Sequence, residues 1–178
     1  NPIEGQVWYN TTSNVLKGRR PNLGGSWSSG GNLNNARSII AAAGSQTAAL
    51  GFGGYPAPSK NYTESYDGTS WTELNDLNSS LAFRAGSGVQ TSALCYGGQQ
   101  PATSANTESW NGTNWTEVNN LNLARRFLAG AGVSNTSALA FGGNQDPPPA
   151  GETETEIWDG TNWTEVNDLN NGRLNQAG

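Results

Sequence analysis

Two columns of glutamate are the residues in this chain best equipped for chemistry. Glu64, Glu108 and Glu156 make one column, and Glu73, Glu117 and Glu165 make the other. Two carboxylates held about 5 to 10 Å apart serve as acid and base, or as acid and nucleophile, in glycoside hydrolysis. Here, however, each glutamate recurs in step with the residues around it. A catalytic residue is expected to break a repeat, whereas a structural one follows it. The six are therefore read as structural, capping or pairing with neighbouring strands. The sequence contains no histidine. That removes Ser-His-Asp and Cys-His nucleophiles, and His-ligated zinc or copper, from this stretch. No phosphate loop, Cys-x-x-Cys pair or calcium-loop pattern is present. The expectation is a chain that is not an enzyme and uses no metal or cofactor.

The elements that position these residues follow from the tryptophans. Trp27, Trp71, Trp115 and Trp163 lie 44, 44 and 48 residues apart. A period in this range marks a stacked or radial repeat. The longer interval has two sources, one residue added within 133–136 and three between Gly143 and Trp158, where Pro147, Pro148 and Pro149 sit. Insertions confined to turns are what a fixed strand core predicts. Each module reads as four short strands. The first is made of small residues at 41–44, 85–88 and 129–132. The second runs into the doublets Gly53-Gly54, Gly97-Gly98 and Gly142-Gly143. The third carries Thr-Glu and an aromatic, Tyr66, Trp110 or Trp158. The fourth starts at the repeated Trp. Asp67-Gly68, Asn111-Gly112 and Asp159-Gly160 join the last two as strong two-residue hairpin signals. Such a turn would set Glu64 opposite Trp71, with Tyr66 diagonal to that Trp. Gly, Asn, Ser and Thr are too dense for a convincing helix.

A glycine doublet, an aromatic 12 residues later and a Trp 5 residues after that resembles the kelch repeat. Gly54, Tyr66 and Trp71 fit, as do Gly98, Trp110 and Trp115. In the third copy the proline insertion sets Gly143 and Trp158 15 residues apart. Arg37, Arg125 and Arg173 resemble the arginine that often precedes the first strand of that repeat, although the second copy has Leu81 there. The resemblance covers residues 27–178. It implies an all-β fold, a kelch-like β-propeller segment with one four-stranded blade per repeat, at about 37–77, 81–121 and 125–169. Trp27, Trp71, Trp115, Trp163, Gly54, Gly98 and Gly143 are its structural repeat residues. Propellers close with about four to eight blades. One outer strand, three full blades and a terminal fragment are therefore expected to be a piece of a longer protein, with open edges that invite further copies. Residues 65–71 are similar to the Asp box of sialidase propellers, with one residue missing between Asp67 and Gly68. Some kelch propellers are copper oxidases, a branch that the lack of histidine leaves unsupported.

Residues that do break the repeat gather in the loop after each glycine doublet. Candidate binding residues are Tyr55 and Lys60 in the first copy, Gln99 and Gln100 in the second, and Asn144, Gln145 and Asp146 in the third. In a propeller these loops share one face, and variable loops on a rigid scaffold carry recognition. Amides and a tyrosine suit carbohydrate. Arg84 and Arg126 also depart from the pattern, and are read as exposed or as pairing between blades.

Composition fits an extracellular or particle-borne β protein. There are 24 Gly and only 13% charged residues. The net charge of −5 leaves no basic patch for nucleic acid or anionic lipid. No apolar run approaches the ~18 residues of a membrane span, and no signal peptide is visible. Cys95, the single cysteine, stands where the sister modules have Gly51 and Ala140, and reads as a small core residue. Seven Asn-x-Ser/Thr sequons read as products of the repeat.

Residues 1–22 form a separate segment, read as a β-hairpin or linker ahead of the partial propeller at 23–178. The phrase at 5–17, Gly-Gln-Val-Trp-Tyr-Asn-Thr-Thr-Ser-Asn-Val-Leu-Lys, is similar to short segments of bacteriophage tail and fibre proteins. Those proteins also carry kelch-like repeats with an Asp-Gly-Thr-Asn-Trp-Thr-Glu phrase. The resemblance implies a structural virion component of a tail or fibre, with attachment to a host-surface glycan or protein as its working mechanism. Other virion proteins and further copies of the chain are the expected partners. The alternatives are a secreted bacterial lectin-like adhesion module, and a glycoside hydrolase whose acids lie in other blades.

Overall fold

The computed structural model describes residues 7–10, 12, 15–18, 29–56, 58–145 and 151–174. Trp27, Asp146 and the three prolines lie outside them. All regular structure in the described residues is β, with no helix. β1 (Val7–Asn10) and β2 (Val15–Gly18) pair antiparallel as the leading hairpin. Three four-stranded antiparallel sheets follow. The first holds β3 (Ala41–Ser45), β4 (Ala48–Phe52), β5 (Thr63–Tyr66) and β6 (Trp71–Glu73). The second holds β7 (Ala85–Val89), β8 (Ser92–Tyr96), β9 (Thr107–Trp110) and β10 (Trp115–Val118). The third holds β11 (Ala129–Ser134), β12 (Ser137–Phe141), β13 (Thr155–Trp158) and β14 (Trp163–Val166). Each sheet pairs its strands in chain order, and β7 lies between β3 and β11. These are propeller-like blades set side by side around their first strands, and the three do not close on themselves.

The core lies between blades. One cluster joins Leu50 and Phe52 of the first blade to Ala93, Cys95, Trp110 and Trp115 of the second. The other joins Leu94 and Tyr96 of the second to Ala138, Ala140, Trp158 and Trp163 of the third. β8 thus sends Ala93 and Cys95 to one side and Leu94 and Tyr96 to the other, the two-residue alternation of a strand with both faces covered. Cys95 is fully buried, and its thiol is pushed up to about 12 by that burial. The first strands are small because adjacent blades converge there. A Cβ on Gly130 would fall 2.0 Å from the Tyr96 hydroxyl, which instead donates to the Leu139 carbonyl of the next blade at 3.1 Å.

The tryptophans lock this packing. Trp115 Nε1 donates to Thr63 Oγ1 of the preceding blade at 2.9 Å, and Trp163 Nε1 to Thr107 Oγ1 at 3.1 Å. Their rings meet Phe52 and Tyr96 edge-on, each with centroids 4.9 Å apart. That satisfies the indole N–H as well as burying the ring. The residue inserted in the third module has a visible use. Gln90 Nε2 reaches back to the carbonyls of Ala49 and Tyr66 at 3.2 and 2.7 Å. In the third blade the shorter Asn135 makes the matching bond to the Trp110 carbonyl at 3.1 Å. The register slips between Gly132 and Ser134, which brings Asn135 forward.

The turn between third and fourth strands differs from the two-residue expectation. Asp67 N–H donates to the Ser70 carbonyl at 3.3 Å, closing a four-residue turn. Asp67 Oδ1 accepts the N–H groups of Thr69 and Ser70, both at 2.8 Å. A two-residue turn of the primed type needs positive φ at both central residues. Here the side-chain oxygen of Asp67 organises the loop, and only Gly68 is left-handed, with φ 94°. Asn111 and Asp159 do the same. The consequence for register is that Tyr66 stands directly opposite Trp71, and Glu64 opposite Glu73. The aromatic contact survives, with Tyr66 and Trp71 centroids 5.1 Å apart.

Candidate functional site at the loop face

The carboxylate columns face each other across the outer strand pair of every blade, as Glu64–Glu73, Glu108–Glu117 and Glu156–Glu165. Like charges in register are unfavourable unless neutralised. The inner column is buried, with Glu64, Glu108 and Glu156 exposed by 0, 0 and 1%. One oxygen of each accepts the backbone N–H of Asn34, Asn78 or Asn122, at 2.7 Å in all three. The same asparagine's amide follows at 3.0, 3.1 and 2.9 Å. Arg37, Arg84 and Arg125 complete the set at 3.1, 3.0 and 2.9 Å. Asn78 and Asn122 lie on the chain leaving the preceding blade, so each carboxylate staples one blade to the next. A general acid must reach its substrate, and these three carboxylates are enclosed. Glu73, Glu117 and Glu165 lie exposed on the outer strands.

Arg84 corrects the sequence reading. It is 8% exposed, so it does not face solvent; it pairs with Glu108 of its own blade and also donates to Ser79 Oγ, on the chain leaving the preceding blade, at 3.1 Å. Arg37 and Arg125 are followed three residues later by Ile40 and Leu128, whereas the second blade has Leu81 and then Arg84. The two positions converge under the glycine doublet. A Cβ on Gly98 would meet Arg84 Cγ at 2.7 Å and Leu81 Cβ at 3.2 Å. The guanidinium therefore reaches Glu108 from the other position, and the leucine fills the place it leaves.

The loops after the doublets run beside the segments leading into the first strands, bridged at Ser38–Tyr55, Ala82–Gln99 and Arg126–Asn144. Gly54, Gly98 and Gly143 have φ of 113, 116 and 94°. A Cβ on them would come within 2.7, 2.8 and 2.7 Å of the carbonyls of Ser38, Ala82 and Arg126. The doublet is thus what lets the loop close against its neighbour.

Of the candidate binding residues, Tyr55 is 44% exposed and Gln100 is exposed. Gln100 Oε1 accepts the Ser59 hydroxyl of the preceding loop at 3.4 Å. Lys60 is half-buried, and its N–H donates to the Gly54 carbonyl at 2.8 Å. Gln145 Nε2 donates to Glu152 at 3.3 Å. Asn144 is only 3% exposed and accepts Arg126 Nε at 3.1 Å, shaping the loop from beneath. Arg126 also reaches Gln99 Oε1, linking the second and third blades. Asp146 lies outside the described residues.

Sequence reasoning missed three residues on this face. Ile39, Phe83 and Phe127 occupy one position of the repeat, and all have positive φ, at 56, 61 and 55°. Their spacing was visible, but nothing in an isoleucine or phenylalanine announces a left-handed backbone. Shallow depressions of about 470 and 480 Å³ also recur beside the outer strands, lined by Asn34, Trp71, Thr72 and Glu73 and by Asn78, Trp115, Thr116 and Glu117. They follow the repeat and sit over the staples.

No protein family matches the chain, and no curated protein matches it.

Proposed function

We propose that the chain is a kelch-like propeller segment of a bacteriophage virion protein, placed in a tail or fibre. Its role there is structural, and it attaches to a host-surface glycan or protein through its loop face. The observation that carries this reading is where variation falls. Strand register and staple are repeated blade by blade and the tryptophan lock at both blade boundaries, while the loops bearing Tyr55, Gln99, Gln100 and Gln145 differ. A rigid frame with variable loops on one face suits recognition. The virion assignment rests on the resemblance of the leading segment and repeat phrase to phage tail and fibre proteins. In this reading the partners are other virion proteins and further copies of the chain.

The test is binding of the purified, fluorescently labelled protein to bacterial surfaces and to a glycan array. Saturable binding to one host range or glycan class is expected. No binding to any surface would leave the structural role alone.

A further inference from the structure

We infer that Asn111 is a self-modifying site, where the folded turn converts asparagine to aspartate through a succinimide formed with the Gly112 nitrogen.

An asparagine followed by glycine is the pair most open to this reaction, because the second residue has no Cβ to crowd the attack. The chain has two such pairs, Asn111-Gly112 and Asn171-Gly172, and both are exposed. Their surroundings differ. Asn111 Oδ1 accepts the N–H groups of Thr113 and Asn114, both at 2.9 Å. Those donors are pinned from the preceding blade, where Asn75 Nδ2 donates to the Thr113 carbonyl and to Asn114 Oδ1, each at 2.9 Å. Among the described residues, neither Asn111 Nδ2 nor the Gly112 N–H has a hydrogen-bond partner. The Asn171 side chain has no donor on its oxygen among those residues, and the Gly172 backbone is packed so that a Cβ there would fall 2.0 Å from the Gly151 carbonyl.

The turn at Asn111 therefore holds the parts of an acyl transfer. The Gly112 nitrogen gives up its proton and attacks Asn111 Cγ, and the new C–N bond sends negative charge onto Oδ1. Two fixed N–H donors meet that charge, as donors aimed at an oxyanion do. Collapse expels Nδ2, which takes the proton and leaves as ammonia. Water then opens the five-membered imide. Attack at Cγ restores the backbone and leaves aspartate; attack at the main-chain carbonyl leaves isoaspartate. The same two donors polarise Cγ and favour the first outcome.

The sister blades show that the product fits. Asp67 and Asp159 occupy the same place, and each accepts two backbone N–H groups through Oδ1. Those bonds, chiefly from Ser70 and Asn162, hold both carboxyls below their ordinary value. Hydrogen bonds to an ionised acceptor are the stronger kind, so aspartate suits this loop better than asparagine does. An ionised carboxylate also resists the nucleophile, so the two sister turns do not enter the same cycle. Modification gives the second blade the turn chemistry of the other two and adds one negative charge to that end of the hairpin.

The experiment holds the full chain in mildly alkaline buffer and follows amide loss at both pairs by peptide mass spectrometry, natively and in urea. Native Asn111 should react at least about tenfold faster than Asn171, and urea should bring the two rates together. Equal native rates, a slower Asn111, or a ratio that survives urea would overturn the inference. Asn75→Ala should slow Asn111 and leave Asn171 unchanged; an unchanged Asn111 would overturn the part given to the pinned donors. Asn111→Asp, the product itself, should melt no lower than the wild type at neutral pH. A lower melting temperature would overturn the fit of the product, and the wild-type comparison of the two pairs needs no variant.

Discussion

Replacing Glu108 with alanine is expected to cost about 3–5 kcal/mol of unfolding free energy, because it leaves a buried guanidinium without its counter-charge. The Arg84 side chain is 2% exposed, and Asn78 and Ser79 also lose their acceptor. Domains of this kind have only about 5–15 kcal/mol in total, so urea denaturation should show a large fall in midpoint. Glu117→Ala, directly across the strand pair in water, should stay within about 0.5 kcal/mol. The contrast separates the two glutamates by environment alone, since they are the same residue in one register.

The same carboxylate sets a pH dependence. Burial pushes the Glu108 carboxyl up, but the Ser79 hydroxyl, the Arg84 guanidinium and the Asn78 N–H together hold it below its ordinary value. A group depressed in the folded state stabilises above its unfolded value, about 4.3 for glutamate, and loses that contribution as pH falls through the folded one. Stability should thus be level near neutrality and decline below about pH 4. Glu108→Gln should start less stable and decline less steeply in acid.

The second large effect concerns the exchanged arginine. Arg84→Leu alone should cost about 3–5 kcal/mol by stranding Glu108. Adding Leu81→Arg should recover most of that loss, because the double variant recreates the arrangement of Arg37 with Ile40 and of Arg125 with Leu128. A double-mutant cycle should give a favourable coupling of about 2–3 kcal/mol. Strict additivity of the two single changes would mean that the positions do not share one pocket.

How much could be read in advance follows from what repeats. The strands, the small first strands, the doublets and the buried Cys95 were legible because each copy restates them. The staple was half legible. The recurring glutamates marked a structural role, but their asparagine partners lie 30 to 34 residues earlier in the chain, hidden among many similar amides. The missing arginine at Leu81 looked like a departure from the repeat, since a sequence comparison cannot show that Arg84 reaches the same carboxylate from three residues further on. The turn was misread because Asp-Gly matches both a two-residue hairpin and a longer loop capped by the Asp side chain. That choice decided which residue faces Trp71. The left-handed Ile39, Phe83 and Phe127 left no signature, because their backbone follows from bridges on both sides and not from their own side chains.

The account depends on tryptophans that dock onto the preceding blade. The direct test is a nuclear Overhauser measurement on the Trp115 and Trp163 indole N–H protons. Cross-peaks to Thr63 and Phe52, and to Thr107 and Tyr96, are expected, linking residues 52 and 56 positions apart through the two hydrogen bonds. Contacts confined to each tryptophan's own sheet would contradict the radial arrangement.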